Sequence, residues 1–356
     1  MRILVIASEL PPIASGIAHS TDRLVRGWRE RGHQVDTLSS ADAPYFRSGE
    51  VRLSGLGGRL LRLAPTIRRR YDLVNVHGPV PTISDVSLML LWGIRRVGGP
   101  PILYTHHWTL EFDEGLLAGL DGPYMKGHQF LVRLADHVVV ESEAYADLFN
   151  GENNPPVSVV PCGVDFDRFR PTTPTGYDGG EALRVLFVGQ LRPYKGAAVA
   201  IDAVAHQPGL ALTLVGRGPL ESSLRRRLIE SGADNVRMTG YLDEEALADA
   251  YRLHDVCVLP STNRLEAFGL TLLEGMAAGC VPVASDLPGV RDLARPNGLL
   301  FAPGDARDLR WALQALAARP NVVRHLQAGA IQLAARHSWD SATAAYHDLA
   351  QRLTRA

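Results

Sequence analysis

Cysteine is scarce in this chain of 356 residues, which has only Cys162, Cys257 and Cys280 and no Cys-x-x-Cys pair. Such spacing excludes the disulfide framework of a small secreted domain and favours a reducing compartment. Apolar runs are also short, since none reaches the roughly 18–20 residues that a membrane-spanning helix requires. The N-terminal MRILVIASEL is typical of a first strand rather than a signal peptide. We therefore expect a cytoplasmic protein.

An excess of charge of either sign is absent as well. The chain has 37 basic and 38 acidic residues, which gives a formal net charge of −1. This balance argues against a nucleic-acid-binding protein, because such proteins usually carry a strong basic excess. The 46% hydrophobic and 21% charged residues are ordinary for a globular protein, and the length favours two domains.

Short apolar, β-branched runs alternate with longer helical segments along the whole chain. We predict six strands before residue 161 and six more after residue 183, each followed by helical sequence, which is typical of parallel sheets covered on both faces. The Pro-, Gly- and Thr-rich stretch 171–181 is predicted to be a linker or exposed loop. The pattern predicts an α/β protein of two doubly wound domains, with ligands bound in a cleft between them.

One segment, Arg264–Gly279 (RLEAFGLTLLEGMAAG), gives the clearest indication of a ligand-binding site. It follows a predicted strand and predicts a helix that opens near Gly269. The free N–H groups at a helix start attract phosphate, and glycine lets a ligand approach the backbone. Glu274 lies about five residues into this helix, which suits a carboxylate that binds ribose hydroxyls. Glu266 precedes the helix and can accept hydrogen bonds from a sugar.

These residues resemble the E-x7-E motif of the retaining glycosyltransferases of family 4, also called glycosyl transferases group 1. Further matches are VVPCGVDFDRFRP (159–171), LFVGQLRPYKG (186–196), LTLVGRGP (212–219) and NGLLF (297–301). The resemblance covers almost the whole chain. It implies a GT-B fold with a Rossmann-like acceptor domain at 1–165, a Rossmann-like nucleotide-sugar domain at 166–339, and a C-terminal helix, 340–356, that packs back toward the first domain.

The resemblance also implies roles for residues of the second domain. Lys195 matches the lysine that binds the donor diphosphate and stabilises the leaving group. The family's usual arginine is replaced by Gln190, and Arg192 is expected to reach the same phosphate. Glu266 matches the carboxylate that contacts the donor sugar, and Glu274 the one that contacts the ribose. The other nucleotide-sugar contacts that we expect here are Gly189, Gly216, Phe268, Gly269, Leu270 and Thr271.

In the first domain the expected contacts are fewer. Gly16 opens a helix after the first strand, where its amide can face the diphosphate. The sequence YTHHW, residues 104–108, matches the histidine that contacts the donor sugar, and we favour His107 over His106 for this role. His77 ends another strand and either borders the acceptor pocket or simply packs at the strand end.

The implied reaction is the transfer of a hexose from a UDP- or GDP-sugar to a glycan, lipid-linked or small-molecule acceptor. It proceeds with retention, by front-face attack in which a donor phosphate oxygen helps to deprotonate the acceptor. We expect no cofactor and no metal, and the Asp165-Phe166-Asp167 triplet is assigned to the interdomain segment rather than to a metal site. The alternatives are a nucleotide-sugar epimerase of similar architecture and a non-catalytic two-domain protein that binds sugars or nucleotides.

The segment 47–70 stands out because it carries seven arginines and one glutamate. A basic, partly amphipathic patch can hold a protein against anionic lipid headgroups, so peripheral membrane contact is one interpretation. The other is a solvated helix face that Pro65 interrupts and that leads into the next strand.

Overall fold

The computed structural model describes residues 1–11, 13, 15–40, 44–48, 51–110, 119–171 and 177–355, with the backbone alone at 45–48, 51–53 and 57. The chain forms two compact units. The first comprises Met1–Gly163 together with Trp339–Ala356, and the second comprises Val164–Ser338.

The first unit is a parallel sheet of six strands with helices connecting them. Its elements are β1 (Arg2–Ala7), α1 (Gly16–Glu30), β2 (Gln34–Ser39), β3 (Tyr45–Ser48), β4 (Val51–Ser54), α2 (Leu56–Arg70), β5 (Leu73–Gly78), a π turn (Pro81–Asp85), α3 (Val86–Arg96), β6 (Ile102–His106), α4 (Asp121–Val132), β7 (His137–Val140), α5 (Glu143–Ala146), a 3₁₀ turn (Asp147–Phe149), β8 (Val157–Val159) and, from the C-terminus, a long helix at Trp339–Arg355. The strand order is β2-β1-β5-β6-β7-β8, and β3 and β4 form a separate antiparallel pair.

The C-terminal helix is part of the core of this first unit. Trp28 of α1 meets Tyr346 edge to face, with ring centroids 6.0 Å apart. Gly27 lies so close to Thr343 that an added Cβ would stand 2.5 Å from its methyl carbon. This pair of helices covers a layer of buried strand residues that includes Ile3 and Leu103, so the last residues of the chain complete the hydrophobic core that the first residues begin.

The second unit repeats the same architecture. Its elements are α6 (Phe166–Phe169), β9 (Leu183–Val188), a 3₁₀ turn (Pro193–Lys195), α7 (Ala197–Val204), β10 (Leu210–Val215), α8 (Glu221–Ser231), β11 (Val236–Gly240), α9 (Glu244–Arg252), β12 (Val256–Leu259), α10 (Leu270–Ala277), β13 (Val281–Ser285), α11 (Val290–Ala294), β14 (Leu299–Phe301), α12 (Ala306–Ala317) and α13 (Pro320–Ala334), so that the C-terminal helix is α14. The strand order is β11-β10-β9-β12-β13-β14, with every pairing parallel. The sheet strands are almost continuously apolar because both faces are covered.

The predicted α/β class and the twelve sheet strands are confirmed. The β3–β4 pair was not predicted. The expected interruption at Pro65 is wrong, because α2 runs through this residue. Proline removes the hydrogen bond to the carbonyl four residues earlier, and its ring also crowds that carbonyl. Since both Leu61 and Pro65 are exposed, this carbonyl can tilt outward and bind water.

The stretch 171–181 belongs to the second unit. Residues 172–176 lie outside the described residues, but Tyr177 is buried and its hydroxyl donates to the carbonyl of Ala317 at 3.2 Å. The change from one unit to the other falls before this stretch, between Gly163 and Val164.

Candidate functional site

The predicted site residues of the second unit lie at the carboxyl end of its sheet, where the strand order reverses. β9 lies between β10 and β12, so the connections leaving β9 and β12 start side by side. The two loops are joined by their backbones, because the Thr262 N–H donates to the Tyr194 carbonyl at 2.8 Å. Such a switch point is the usual ligand site of a doubly wound sheet.

Lys195 and Glu266 meet across these two loops. The Lys195 Nζ lies 2.5 Å from Glu266 Oε2, and the Ser261 hydroxyl donates to the same oxygen at 3.2 Å. Both side chains are largely buried, at 17% and 10% exposed. Burial by itself lowers the Lys195 pKa, but the attraction of Glu266, together with Tyr194, outweighs it and raises that pKa above its ordinary value. Lys195 is therefore a fixed cation at neutral pH.

Glycines make the close approach of these loops possible. Gly196 follows Lys195 with φ +71°, and an added Cβ would stand 1.8 Å from the Pro260 carbonyl oxygen. Gly269 precedes α10 with φ +88°, and its Cβ would lie 3.0 Å from the Leu259 side chain. Side chains rarely adopt this left-handed region. The backbone therefore requires glycine at both positions, and α10 begins at Leu270, with Gly269 as its N-cap residue.

Glu274 lies on the same helix, half-buried in its second turn. Its Oε2 accepts a hydrogen bond from the Tyr251 hydroxyl at 2.9 Å. Tyr251 is fully buried, and burial together with the nearby Glu274 raises its pKa well above the ordinary value. The phenol therefore stays protonated and holds the carboxylate in one orientation.

The remaining predicted residues of this unit border the same loops. Arg192 Nε donates to Gln190 Oε1 at 2.6 Å, so the arginine is oriented by the residue that replaces the family's usual one. A Cβ on Gly216 would stand 1.9 Å from the Gly189 carbonyl oxygen. Leu270 and Thr271 form the first turn of α10. Phe268, by contrast, is buried, with its ring centroid 6.4 Å from that of His337.

In the first unit, Gly16 opens α1 as expected and is exposed. Ser15 caps this helix, because its hydroxyl oxygen accepts from the Ala18 N–H at 3.1 Å. The backbone N–H of Gly16 thus lies at a capped helix start, which is a position suited to anions.

His106 and His107 lie in separate polar clusters. The His107 Nδ1 is 2.9 Å from Glu141 Oε1, and its Nε2 is 2.8 Å from His77 Nδ1. His77 is therefore more than a packing residue, because it contacts His107 directly. Sequence reasoning missed Glu141, which follows β7 and offered no motif by which to find it.

His106 is completely buried and packs against the rings of Tyr145 and Phe149. Its Nε2 has no hydrogen-bond partner among the described residues. Nearby, the Tyr104 hydroxyl lies 2.7 Å from His128 Nε2, whose other ring nitrogen lies 2.5 Å from Asp85 Oδ1. These residues form an interior network rather than a surface that a ligand can reach.

Within the described ranges, no group of three or more His, Cys, Asp and Glu side chains is arranged to hold a metal ion. Asp167 of the Asp165–Asp167 triplet pairs with Arg170 instead, at 3.4 Å. No helix in the described part of the chain is long and apolar enough to cross a bilayer.

Comparison with known proteins agrees with this architecture. The family model described as Glycosyltransferase Family 4 matches residues 14–168, and that of Glycosyl transferases group 1 matches residues 179–332. The D-inositol 3-phosphate glycosyltransferase of Thermobispora bispora is 32% identical over 338 residues, which cover 87% of this chain and 76% of the relative.

Two further similarities extend over most of the chain. The phosphatidyl-myo-inositol mannosyltransferase of Mycobacterium tuberculosis is 29% identical over 88% of this chain and 85% of its own length. The Anabaena protein HepE, solved in complex with UDP, superposes with a TM-score of 0.74 at 17% identity, covering 100% of both chains. HepE was also solved with UDP-glucose.

This chain belongs to the group 1 glycosyltransferases of family 4. It has their GT-B class of fold, with two Rossmann-like units, and it is an enzyme of the glycosyltransferase type.

Proposed function

We propose that this glycosyltransferase moves a hexose from a UDP- or GDP-sugar to its acceptor with retention of the anomeric configuration. The observation that carries the proposal is the Lys195–Glu266 pair beside the start of α10, at the point where the sheet order reverses. The cation and the helix N-terminus suit the diphosphate of a nucleotide diphosphate sugar, and the carboxylate beside them suits its sugar hydroxyls.

Each group has a role in this proposal. Lys195 and Arg192 bind the diphosphate, and Lys195 stabilises the negative charge that grows as the glycosidic bond breaks. Glu266 accepts hydrogen bonds from the sugar, and Glu274, oriented by Tyr251, accepts them from the ribose. His107 and Gly16 of the first unit contact the donor beside the reaction centre. The donor's own phosphate oxygen takes the acceptor proton, so neither glutamate acts as a nucleophile.

The Lys195–Glu266 ion pair must open for the proposed donor to bind. In the pair the two charges neutralise each other, so neither charge is buried alone. When a donor binds, its phosphate takes the place of Glu266 beside the lysine, and its sugar hydroxyls replace the lysine beside the carboxylate. Both partners remain hydrogen-bonded in each state.

The donor test is a panel of UDP-, GDP- and ADP-sugars, with thermal shift and nucleotide release as readouts and NMR of the anomeric proton of the product. We expect stabilisation by one UDP- or GDP-sugar and a product of the donor's own anomeric configuration. Inverted product contradicts the retaining mechanism, and stabilisation by ADP-sugars alone contradicts the donor class. Inositol phosphates and phosphatidylinositol are the first acceptors to try, since two relatives are named for them.

We also propose that the protein is cytoplasmic and docks reversibly on anionic membranes through α2. This helix carries five arginines and no acidic residue (Arg59, Arg62, Arg68, Arg69 and Arg70) and exposes Leu61. The adjoining α3 exposes Met89 and Trp92, with the Arg96 guanidinium 4.7 Å from the Trp92 ring centroid. Cations beside exposed apolar side chains fit a headgroup layer.

The membrane test is co-sedimentation with vesicles of phosphatidylcholine and phosphatidylglycerol, against vesicles of phosphatidylcholine alone. We expect binding to the anionic vesicles only, weakening as salt rises. Replacing Arg62 and Arg69 with glutamine should reduce it. The double variant Arg225→Gln and Arg226→Gln on α8 of the second unit is the matched control. Absence of binding at low salt contradicts the proposal.

A further inference from the structure

The buried cluster around His107 fixes where its protons are. Both ring nitrogens of His107 are engaged, Nδ1 with Glu141 Oε1 at 2.9 Å and Nε2 with His77 Nδ1 at 2.8 Å. The ring is 96% buried and has no second set of partners among the described residues. Which of these nitrogens carry hydrogen follows from the groups farther along the cluster.

The chain of hydrogen bonds starts at a backbone carbonyl. Asn75 places its amide nitrogen 3.1 Å from the carbonyl oxygen of Leu103, which can only accept. The Asn75 Oδ1 must then face His77 Nε2, at 2.6 Å, and an amide oxygen also only accepts. His77 therefore carries its proton on Nε2.

His77 is a neutral acceptor toward His107. Complete burial, reinforced by the nearby His107, lowers the pKa of His77 well below its ordinary value, so the ring holds a single proton at neutral pH. Its Nδ1 therefore presents a lone pair, and the bond to His107 forms only if His107 Nε2 is the donor. One proton of His107 is thereby assigned, and a second is needed between its Nδ1 and Glu141.

That second proton belongs on the imidazole rather than on the carboxyl group. In water an imidazole binds a proton about a hundredfold more tightly than a carboxylate. The Cys162 thiol also donates to Glu141 Oε1, at 3.3 Å, which favours an ionised oxygen that accepts from both neighbours. An imidazolium and a carboxylate in contact leave the buried pair with no net charge.

We propose that Glu141 is a positioning residue that holds His107 as an imidazolium donating from both ring nitrogens. The inference rests on the proposed function, in which His107 stands beside the donor. In this state His107 serves the reaction as a buried cation, because both of its N–H groups are already donated to His77 and Glu141. It cannot be the base that deprotonates the acceptor, because neither ring nitrogen has a lone pair to offer.

The rest of the surroundings adds no competing charge. His107 and Glu141 line a cavity of about 20 Å³, enough for roughly one water molecule, together with His77, Cys162 and Tyr346. Burial raises the pKa values of Cys162 and of Tyr346, so both are neutral near pH 7. His106, the adjacent residue, is neutral because burial lowers its pKa. Ser20 of α1 and Thr343 of α14 close the cavity without charge.

The first test is nitrogen NMR of the full chain labelled with ¹⁵N-histidine, with the His107 signals assigned by their loss in His107→Gln. Near pH 7 we expect both ring nitrogens of His107 to have protonated-type shifts. A neutral ring, with one nitrogen unprotonated between about pH 6 and 8, overturns the proposal. This readout needs neither a known donor nor enzymatic activity.

The second test separates charge from geometry. Glu141→Gln keeps an acceptor oxygen for Nδ1 but removes the negative charge that pairs with the imidazolium. We expect kcat near pH 7.5 to fall about tenfold or more, with little change in the donor KM. Cys162→Ala is the matched control, since it removes an uncharged contact to the same oxygen. Equal effects of the two variants contradict the role of the charge.

The two tests also separate this inference from the proposed function. A wild-type enzyme that transfers no sugar from any nucleotide donor contradicts the function, while the spectrum still decides the protonation of His107. A doubly protonated His107 together with an unimpaired His107→Gln enzyme overturns the role in transfer that we assign to this cation.

Discussion

The polar clusters of the two units are built in different ways. In the second unit the site depends on backbone shape, because left-handed glycines let two loops touch and bring a single ion pair together. In the first unit the clusters are held together by hydrogen bonds between side chains, which link buried histidines to Glu141, Asn75 and Asp85. The cluster of the second unit therefore tolerates little change in backbone conformation. The clusters of the first unit tolerate little change in protonation state.

This difference fits the separate tasks that we propose. A diphosphate is an anion of fixed shape, and a backbone cradle with one lysine recognises it whatever sugar it carries. A group that must keep one charge state near the reacting atoms needs its protons fixed, and fixed protons require a closed network of donors and acceptors. The predictions below are ways to break one cluster and leave the other intact.

The largest effect is expected from Lys195→Ala. It removes the cation that stabilises the leaving diphosphate, and a single such contact commonly accounts for about 10²–10³ in kcat. Donor affinity should fall too, because the diphosphate loses the cation that pairs with it. The measurement is steady-state transfer with nucleotide release. Lys126→Ala, the change at the chain's other lysine, exposed on α4, is the matched control. Unchanged turnover in Lys195→Ala contradicts the assignment of the phosphate site.

The next effect concerns the backbone of the same site. Gly196 and Gly209 both have positive φ, +71° and +76°, but a Cβ on Gly196 meets the Pro260 carbonyl at 1.8 Å, whereas nothing lies within 4 Å at Gly209. Gly209→Ala should cost only the left-handed conformation, about 1 kcal/mol. Gly196→Ala should cost at least about 2 kcal/mol more, since the loops must separate. Urea unfolding measures the difference, and equal losses contradict the close contact.

The third prediction concerns pH, because the stability of the two units should respond to it differently. Burial lowers the pKa of four described histidines in the first unit, His33, His77, His106 and His137, and of only His254 in the described part of the second. A histidine with a lowered folded pKa binds a proton more tightly in the unfolded chain than in the folded one. Stability is therefore lost as pH falls below about 6.5, by up to roughly 1.4 kcal/mol per pH unit for each fully buried ring.

Hydrogen exchange reports this contrast strand by strand. Between about pH 7.5 and 5.5, after correction for the intrinsic exchange rate, amides of β5 and β6 should lose more protection than those of β9 and β12. His106→Phe should reduce the loss in the first unit, because phenylalanine keeps an aromatic ring beside Tyr145 and Phe149 and takes up no proton. Equal loss in both units, or no change in His106→Phe, contradicts the explanation.

The same contrast determines how much could be predicted from the sequence. The sheet strands and the helix that opens after Gly269 follow from local patterns, because apolar periodicity and glycine act over a few residues. Lys195 and Glu266 were placed by their motifs, yet their direct contact was not foreseen. It depends on β9 and β12 being neighbours, a pairing between residues about 70 positions apart.

The hydrogen-bond network of the first unit could not be predicted from local sequence patterns. Glu141 and Asn75 are single polar residues within or beside apolar strands, and nothing in their local sequence marks them. Their partners come from three neighbouring strands, so only the order β5-β6-β7 brings them together. Likewise, the continuation of α2 through Pro65 depends on which side of the helix faces water, and this is set by packing against α3.

The smallest effect is expected at the ribose carboxylate. Tyr251→Phe removes the hydroxyl that donates to Glu274 Oε2 at 2.9 Å but keeps the ring that packs edge to face against Phe169. The fold should survive. Glu274 loses the hydrogen bond that orients it, which should cost about 1 kcal/mol of binding free energy and weaken nucleotide diphosphate binding several-fold. Tyr346→Phe, which removes a buried hydroxyl from the first unit, is the matched control. Calorimetric titration with UDP and GDP measures both variants. If both weaken binding equally, the loss is general rather than transmitted through Glu274, and the nucleotide site does not depend on this carboxylate.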